Sequence, residues 1–539
     1  MSADSTTTES PILKPSWRIP PSLPILVAIV LGVLIRVAWL NAKPLWEDEA
    51  WTFVTAISDR PLVDIAGADP HPMSFYFVIR QLPRWFLSSD WAFRLPHAIA
   101  SCAALLLIPF VFRRLLSPDR GMGVPARDPR VDDRSFARTQ PETLDNSSID
   151  RLVAWCTLVF SLLPLNVRYA QDARAYAFCQ LAGVIVLLLY LKCRQNRSWA
   201  SIGGLVIATS ISMHIDGFGW ITPTICGLHG LLSVRTSDAR RAIAALVAGG
   251  LSAIPYVYFR MTHMMAAGEM HTVGSGRLGR AFAARWLELS PIGVAFDPVP
   301  AKYAGAIWFV AAVAALVYVI GMTTSVWRKG DQRRWLAILL FVVPFAGLTT
   351  LSLYTGEIYI FKKYLIPTAP AVVLLFTLGL LRVTRGSFLC AMLVLCVVPL
   401  GVSAVSNVRA GDRADWRSLY DGIRPRIQAN DAFAQERHLN YPGYSFGPLC
   451  AYAWRDRIRL DDAQLHEYTD AADSAASIRA FMDTRGGDRI WTITTNWMAR
   501  DRMADLSAMA DRLTEVRARG CRATLWRLRS SARASSGER

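Results

Sequence analysis

The chain has 539 residues, 53% of them hydrophobic and 19% charged, yet it carries a formal net charge of +17 from 59 basic and 42 acidic residues. Apolar usage above the soluble norm with so few charges argues against an ordinary water-soluble enzyme, and the apolar content excludes general disorder. The basic excess then points either to nucleic acid or to membrane topology, and the placement of the arginines decides between them.

The amino terminus, residues 1–21, is polar and carries Lys14 and Arg18. Apolar runs long enough to cross a hydrocarbon core of about 30 Å then recur along the chain. Spans are expected near 22–40, 94–112, 152–165, 174–191, 199–215, 218–234, 242–259, 303–326, 335–353, 364–381 and 387–406. The third is short, and the pair around Asp216 is close together. No small-residue cleavage site follows the first run, so it reads as a span and not as a cleaved signal.

The connections alternate in charge. Residues 113–151 hold eight arginines, and short basic turns follow around Lys192, Arg240, Lys329 and Arg382. Every second connection is therefore basic, as cytoplasmic loops are expected to be. The intervening segments 41–93, 166–173, 260–302 and 354–363 then face outward. About eleven spans from a cytoplasmic amino terminus leave residues 407–530 outside the membrane. That segment alternates helical and strand-like patterns and is expected to be a small extracytoplasmic α/β domain. Cys450 and Cys521, its two cysteines, are a candidate disulfide in an oxidising exterior. The tail 531–539 reads as disordered.

Three outward strings carry the chemistry. The first runs Pro44-Leu45-Trp46-Glu47-Asp48-Glu49-Ala50-Trp51. Its acids either complement a helix dipole or supply a general base at the membrane interface. The second, Arg168-Tyr169-Ala170-Gln171-Asp172-Ala173-Arg174-Ala175-Tyr176, places costly polar groups at the mouth of a span. Arg168 and Asp172 either pair with each other or serve a site. The third contains Glu357, Lys362, Lys363 and Tyr364. Its lysines either snorkel to headgroups or hold a phosphate. Arg36, near the outer end of the first span, poses the same choice, and His214 near Asp216 reads either as packing or as a site residue.

Together these strings resemble membrane GT-C glycosyltransferases. The nearest branch is the bacterial protein-mannosyltransferase-like group, with its aminoarabinose transferases and RgtA/B/C/D-like enzymes. The resemblance rests on Arg36, the Trp46-to-Trp51 string, His71-Pro72-Met73-Ser74-Phe75-Tyr76, Phe93-Arg94-Leu95-Pro96, the Arg168-to-Tyr176 string, Lys363-Tyr364-Leu365-Ile366-Pro367 and Asp415-Trp416-Arg417. It covers about residues 20–425. Asp172 stands where many relatives have Glu, and Met73 replaces a second proline.

The resemblance implies a GT-C catalytic domain over 22–406, in a bacterial inner membrane, and transfer of a sugar from a polyprenyl-phosphate-linked donor to a lipid, glycan or protein acceptor. Asp48 is then the expected base and Glu49 its partner or an acceptor ligand. Arg168, Arg174, Lys362 and Lys363 are the candidate cations for the donor phosphate, with Arg36, His71, Asp172, Tyr176 and Tyr364 in support. No cofactor is implied, and a metal bridging Asp48 and Asp172 stays an open alternative. The competing classes are a polytopic transporter or flippase and an oligosaccharide ligase. Nucleic acid drops out, because the basic residues follow the membrane pattern.

Overall fold

A computed structural model describes residues 23–529 apart from 69–71, 118–145, 196–197, 234–235, 265–315, 324–331, 356–361, 384–397, 399–400, 403–413, 437–445, 459, 461–463, 469–473, 486 and 496–503. Twelve helices come first in chain order. They are α1 (Leu23–Val37), α2 (Glu47–Ile57), α3 (Leu62–Ala68), α4 (Met73–Arg80), α5 (Asp90–Leu116), α6 (Asn146–Leu162), α7 (Pro164–Ala170), α8 (Tyr176–Cys193), α9 (Trp199–Ile215), α10 (Ile221–Leu232), α11 (Ser237–Leu251) and α12 (Ile254–Met264). After them come α13 (Gln332–Thr355), a 3-10 turn at Lys362–Thr368 and α14 (Ala369–Val383).

Among the described residues α5 and α8 are long and apolar enough to cross a membrane, and the bent pair α6 and α7 makes a third. The expected count of about eleven spans is not reached within these residues. Part of the reason lies in breaks in the helices. Pro164 opens α7 at its first turn, where its missing N–H costs nothing, and the chain bends there by 53°. The expected span near 242–259 is divided between α11 and α12. Glycine lets α1 approach α5 and α6 closely. A Cβ on Gly32 of α1 would stand 2.5 Å from Leu105 Cδ2 and 2.6 Å from the Ser161 Cβ, so only glycine permits this three-helix contact.

The start of α5 follows from its sequence. Ser89 accepts the Ala92 N–H at 3.1 Å, and Asp90 supplies negative charge to the first turn while Arg113 and Arg114 supply positive charge to the last. Its polar buried residues, Asp90, Arg94, His97 and Ser101, lie one turn apart and mark one face.

Past α15 (Trp416–Ile423) the chain forms a five-stranded sheet with order β2-β1-β3-β5-β4. The strands are β1 (Ala432–Glu436), β2 (Leu465–Tyr468), β3 (Arg489–Thr495), β4 (Ala510–Ala518) and β5 (Cys521–Leu528). β1 runs parallel to β2 and β3, and β5 runs antiparallel to β3 and β4. The α16 helix (Gly447–Arg455) follows β1, and α17 (Ser474–Arg485) and α18 (Ala504–Met509) complete the α/β unit. Gly520 turns the β4–β5 hairpin at φ +75°, where a Cβ would be strained and would crowd Ala414. Cys450 and Cys521 are not joined to each other in the structure, which does not show the expected disulfide. Cys521 lies buried on the sheet with its Sγ toward the Arg519 carbonyl, and Cys450 is half-buried on α16. The expected domain boundary at 407, residues 1–21 and the tail 531–539 lie outside the described residues.

One apolar core joins the sheet to the helices. Phe433, Trp491, Ile493 and Leu525 pack with Trp416, Leu419 and Leu449, and the same cluster takes in Ala50 and Phe53 of α2 and Phe93 of α5. The string that opens α2 is thus seated against the sheet domain on one side and the helical domain on the other.

Candidate active site

The first turn of α2 holds Glu47, Asp48 and Glu49, so all three acids meet the positive end of the helix. They have different surroundings. Glu49 is fully buried, and Arg94 holds it with two charge-assisted bonds, Nε to Oε1 at 2.7 Å and Nη2 to Oε2 at 2.6 Å. The Ala173 N–H adds a third bond to Oε1 at 2.8 Å, and the Trp46 N–H a longer one to Oε2 at 3.4 Å. Glu49 therefore ties α2 to α5 and to the turn between α7 and α8. Both of its oxygens are thus bonded by protein donors. Asp48 is only half-buried. Its carbonyl accepts the Thr52 hydroxyl at 3.1 Å.

Arg94 does more than pair. Its Nη1 donates to the carbonyls of Leu40 and Lys43 at 2.8 and 2.7 Å, and its Nη2 to Pro44 at 2.9 Å. All of its donors are thereby occupied, and the chain between α1 and α2 wraps its guanidinium. Sequence reading quoted Arg94 only within a motif. The signal for a role was present, since a charge this deep in an apolar run needs a partner.

The turn between α7 and α8 supplies the other half of the site. Gln171 is buried and donates its amide to the carbonyls of Ile35 and Ala38 at 3.0 and 3.1 Å, pinning the turn to the end of α1. Asp172 and Arg174 follow, both nearly fully buried, and the Arg174 N–H bonds the Asp172 carbonyl at 2.8 Å. Arg174 Nη1 reaches Thr52 Oγ1 at 3.1 Å and the Tyr76 hydroxyl at 3.5 Å. The Tyr176 hydroxyl lies within electrostatic range of Arg174, Asp48 and Asp216. Tyr169 meets the Tyr176 ring edge-on at 4.9 Å.

The structure thus gathers Asp48, Arg174, Tyr176 and Asp216 at one place, with Thr52 and Tyr76 beside them. Asp216 ends α9 and its Oδ1 accepts the Phe218 N–H at 2.9 Å. Sequence reading noted it only as a neighbour of His214, whose carbonyl instead accepts the Ser74 hydroxyl and so links α4 to α9. His97 is a second residue that sequence reading missed. It is fully buried one turn after Arg94, within electrostatic reach of Asp172 and Arg174, and its ring lies 5.0 Å from that of Phe178.

Arg36 is not part of this gathering. It is fully buried inside the helical bundle, where Nε donates to Ser101 Oγ at 2.9 Å and Nη1 to the carbonyls of Gly32 and Ser161 at 2.9 and 2.8 Å. Ser101 passes the chain on to Gln180 at 3.1 Å, and Gln180 to Asn166 at 2.7 Å. This network holds α1, α5, α6 and α8 together, which neither snorkelling nor phosphate binding describes. Arg168 lies on α7, half-buried. His71 lies outside the described residues. The 3-10 turn carries Lys362, Lys363 and Tyr364, but their side chains are not among those described.

The sheet domain closes over the same loop. Trp416 Nε1 donates to Glu47 Oε1 at 3.3 Å, the Tyr452 hydroxyl accepts the Leu45 N–H at 2.9 Å, and a Cβ on Gly447 would stand 3.3 Å from the backbone of Ala50 and Trp51.

These features define a mainly helical fold with apolar helices long enough to cross a membrane, an acidic loop between its helices and a terminal sheet domain. Among solved structures the chain resembles ArnT from Cupriavidus metallidurans, in its apo state (TM-score 0.52) and bound to undecaprenyl phosphate (TM-score 0.53). Each comparison is at 10% identity and covers 93% of this chain and 97% of the other. No family model and no curated protein matches the sequence. The fold is shared over nearly the whole length, although the sequence is not.

Proposed function

We propose that the chain is a membrane glycosyltransferase that moves a sugar from a polyprenyl-phosphate-linked donor to an acceptor of the cell envelope, in a bacterial inner membrane and at its outer face. The shared fold supports the class. The relative that binds undecaprenyl phosphate supports a lipid phosphate as the donor's carrier. The basic loops, on the side away from the acidic strings, support outward placement of the site. Nucleotide sugars are scarce there, and a donor delivered through the bilayer suits such a site.

The reaction is a single displacement with inversion. The acceptor's hydroxyl or amine attacks the anomeric carbon while its proton passes to Asp48. The bond from that carbon to the phosphate oxygen breaks, and the electron pair leaves with the polyprenyl phosphate. Charge grows on the leaving oxygen, so a cation already in place lowers the barrier. Arg174 fills that role, with Arg168, Lys362 and Lys363 as further phosphate ligands. Asp172 and Tyr176 hold Arg174 in position. Glu49 anchors the loop and touches no substrate.

One observation carries this reading: of two neighbouring acids, Asp48 is left accessible beside Arg174 and Tyr176 while Glu49 is wholly sequestered. The test is transfer from a lipid-phosphate sugar pool by the purified protein in nanodiscs. Asp48→Asn is expected to abolish transfer while expression and thermal midpoint stay as in wild type. Near-normal turnover by Asp48→Asn would remove Asp48 as the base. Insensitivity of the wild-type enzyme to chelators would close the metal alternative. Comparison of envelope glycolipids and glycoproteins with and without the gene identifies sugar and acceptor.

A further inference from the structure

Asp90 sits at the first position of α5, one turn before Arg94, and is 2% exposed. Three donors from the sheet domain converge on its carboxylate. Arg455 bonds Oδ1, Arg417 bonds Oδ2, and the Tyr452 hydroxyl donates to Oδ2 at 3.0 Å. No other buried carboxylate among the described residues gathers two arginines from across the domain contact. The attraction is strong enough to hold the Arg417 guanidinium above its ordinary pKa, although burial works in the opposite direction.

The same three donors also grip the acidic loop. Arg417 donates from Nη1 to the Asn41 carbonyl at 3.0 Å and from Nη2 to that of Lys43 at 3.3 Å. The Tyr452 oxygen accepts the Leu45 N–H. Arg455 lies over the Phe53 ring of α2 at 5.0 Å and donates to the Leu87 carbonyl at 3.1 Å. Lys43 thus has its carbonyl shared between Arg94 from the helical domain and Arg417 from the sheet domain. Residues 40–45 run between two sets of arginine donors, and Asp90 orients one set.

We propose that Asp90 is a positioning residue of the candidate site. It aligns Arg417, Tyr452 and Arg455 so that the sheet domain forms one jaw of a clamp on residues 40–53 and fixes where Asp48 stands. Asp90 touches no substrate. The sheet domain is then a working half of the site and not an appendage to it. An acid that must meet an acceptor proton tolerates little misplacement, so a loosened loop lowers the rate more than it lowers donor affinity.

The turnover arm of the test rests on the transferase reading, and the exchange arm does not. Hydrogen exchange is measured on the full chain in nanodiscs for wild type, Asp90→Asn, Asp90→Glu and Tyr452→Phe. Tyr452→Phe deletes one hydroxyl and leaves both arginines, so it keeps the question open to measurement should Asp90→Asn fail to fold. In Asp90→Asn the amides of 40–53 are expected to exchange about tenfold faster or more, as loss of bonds to a charged group predicts. Peptides from α8 and from β3 and β5 stay as in wild type, Tyr452→Phe shows a smaller change confined to 40–53, and Asp90→Glu recovers part of the protection. With a lipid-phosphate sugar donor, kcat falls about tenfold while donor KM stays within about twofold. Unchanged exchange at 40–53 overturns the proposal, and so does faster exchange spread over the whole chain, which marks Asp90 as a general stabiliser. A wild type that transfers no sugar overturns the function and leaves the exchange result to decide the clamp.

Discussion

The pair Glu49 and Arg94 gives the most direct test of how the site is built. Consider Glu49→Gln, which keeps shape and removes charge. Glu49 is fully buried and Arg94 1% exposed, so no water can replace the lost carboxylate. Two bonds of 2.7 and 2.6 Å lose their charge, and the new amide group turns a donor toward a donor. Breaking one side of a buried ion pair costs about 3–5 kcal/mol. Arg94 keeps three backbone carbonyls and still feels Asp90 one turn away, so the loss belongs near the lower end, about 3 kcal/mol. That is a large share of a stability of about 5–15 kcal/mol. The assay is the midpoint of thermal aggregation in detergent, with a fall on the order of 5 °C expected. Adding Arg94→Met removes the orphaned charge and recovers part of the loss, so the two changes are not additive. Asp48→Asn in the same assay leaves the midpoint alone. A Glu49→Gln protein with wild-type midpoint and a raised acceptor KM would refute the anchoring role and return Glu49 to the acceptor.

Other outcomes follow from particular contacts. Arg174→Gln weakens binding of polyprenyl phosphate by about tenfold or more, the cost of one charge-assisted contact, measured by quenching of tryptophan fluorescence. Gly379→Ala is poorly tolerated: its Cβ would stand 2.1 Å from the Val317 carbonyl oxygen, and the forced shift costs about 1–3 kcal/mol, visible as reduced monodisperse yield. Cys521 resists maleimide at pH 8 in the native protein, because burial, then Asp415, pushes its thiol up to about 12. Labelling becomes complete on unfolding without reductant, since no disulfide has to be broken. His466 is half-buried against Phe481, and burial lowers its pKa below the ordinary value near 6.5. The unfolded chain therefore takes up a proton first as pH falls. The stability of the sheet domain is full above that ordinary value and drops as pH falls through it, and His466→Phe shrinks the difference in midpoint between pH 7.5 and 5.5.

Much of this organisation was legible in the sequence, and its limits have physical causes. The membrane class, the acidic string opening α2 and the α/β unit after it follow from periodicity and charge, which are local properties. What local pattern could not supply was the partner of each charge. Asp90 and Arg417 are 327 positions apart, and Leu45 and Tyr452 are 407 apart. Arg36 illustrates the same limit in the other direction. Its depth was clear, but its acceptors are a serine and two carbonyls from α1, α5 and α6, and nothing in a serine or a glycine announces that role.

Asp48 and Glu49 show most clearly what three dimensions add. In the sequence they are adjacent, alike in charge and equally eligible as base. On a helix, neighbours point about 100° apart, so one fixed position forces the other. Once Arg94 and the Ala173 N–H capture Glu49, Asp48 is turned to the side where Thr52, Arg174 and Tyr176 stand. In the proposed reaction the buried pair therefore acts indirectly, by deciding which of the two acids is held in the anchor and which is not. The basic excess divides in the same manner. Arg94, Arg417 and Arg455 shape the loop, and Arg174 reaches Thr52, whose hydroxyl bonds the Asp48 carbonyl. A variant that exchanged the two acids, Asp48→Glu with Glu49→Asp, would keep every charge yet shorten the anchor and lengthen the base. It should lose both stability and transfer, whereas a site that needed only two negative charges at this point would keep transferring sugar.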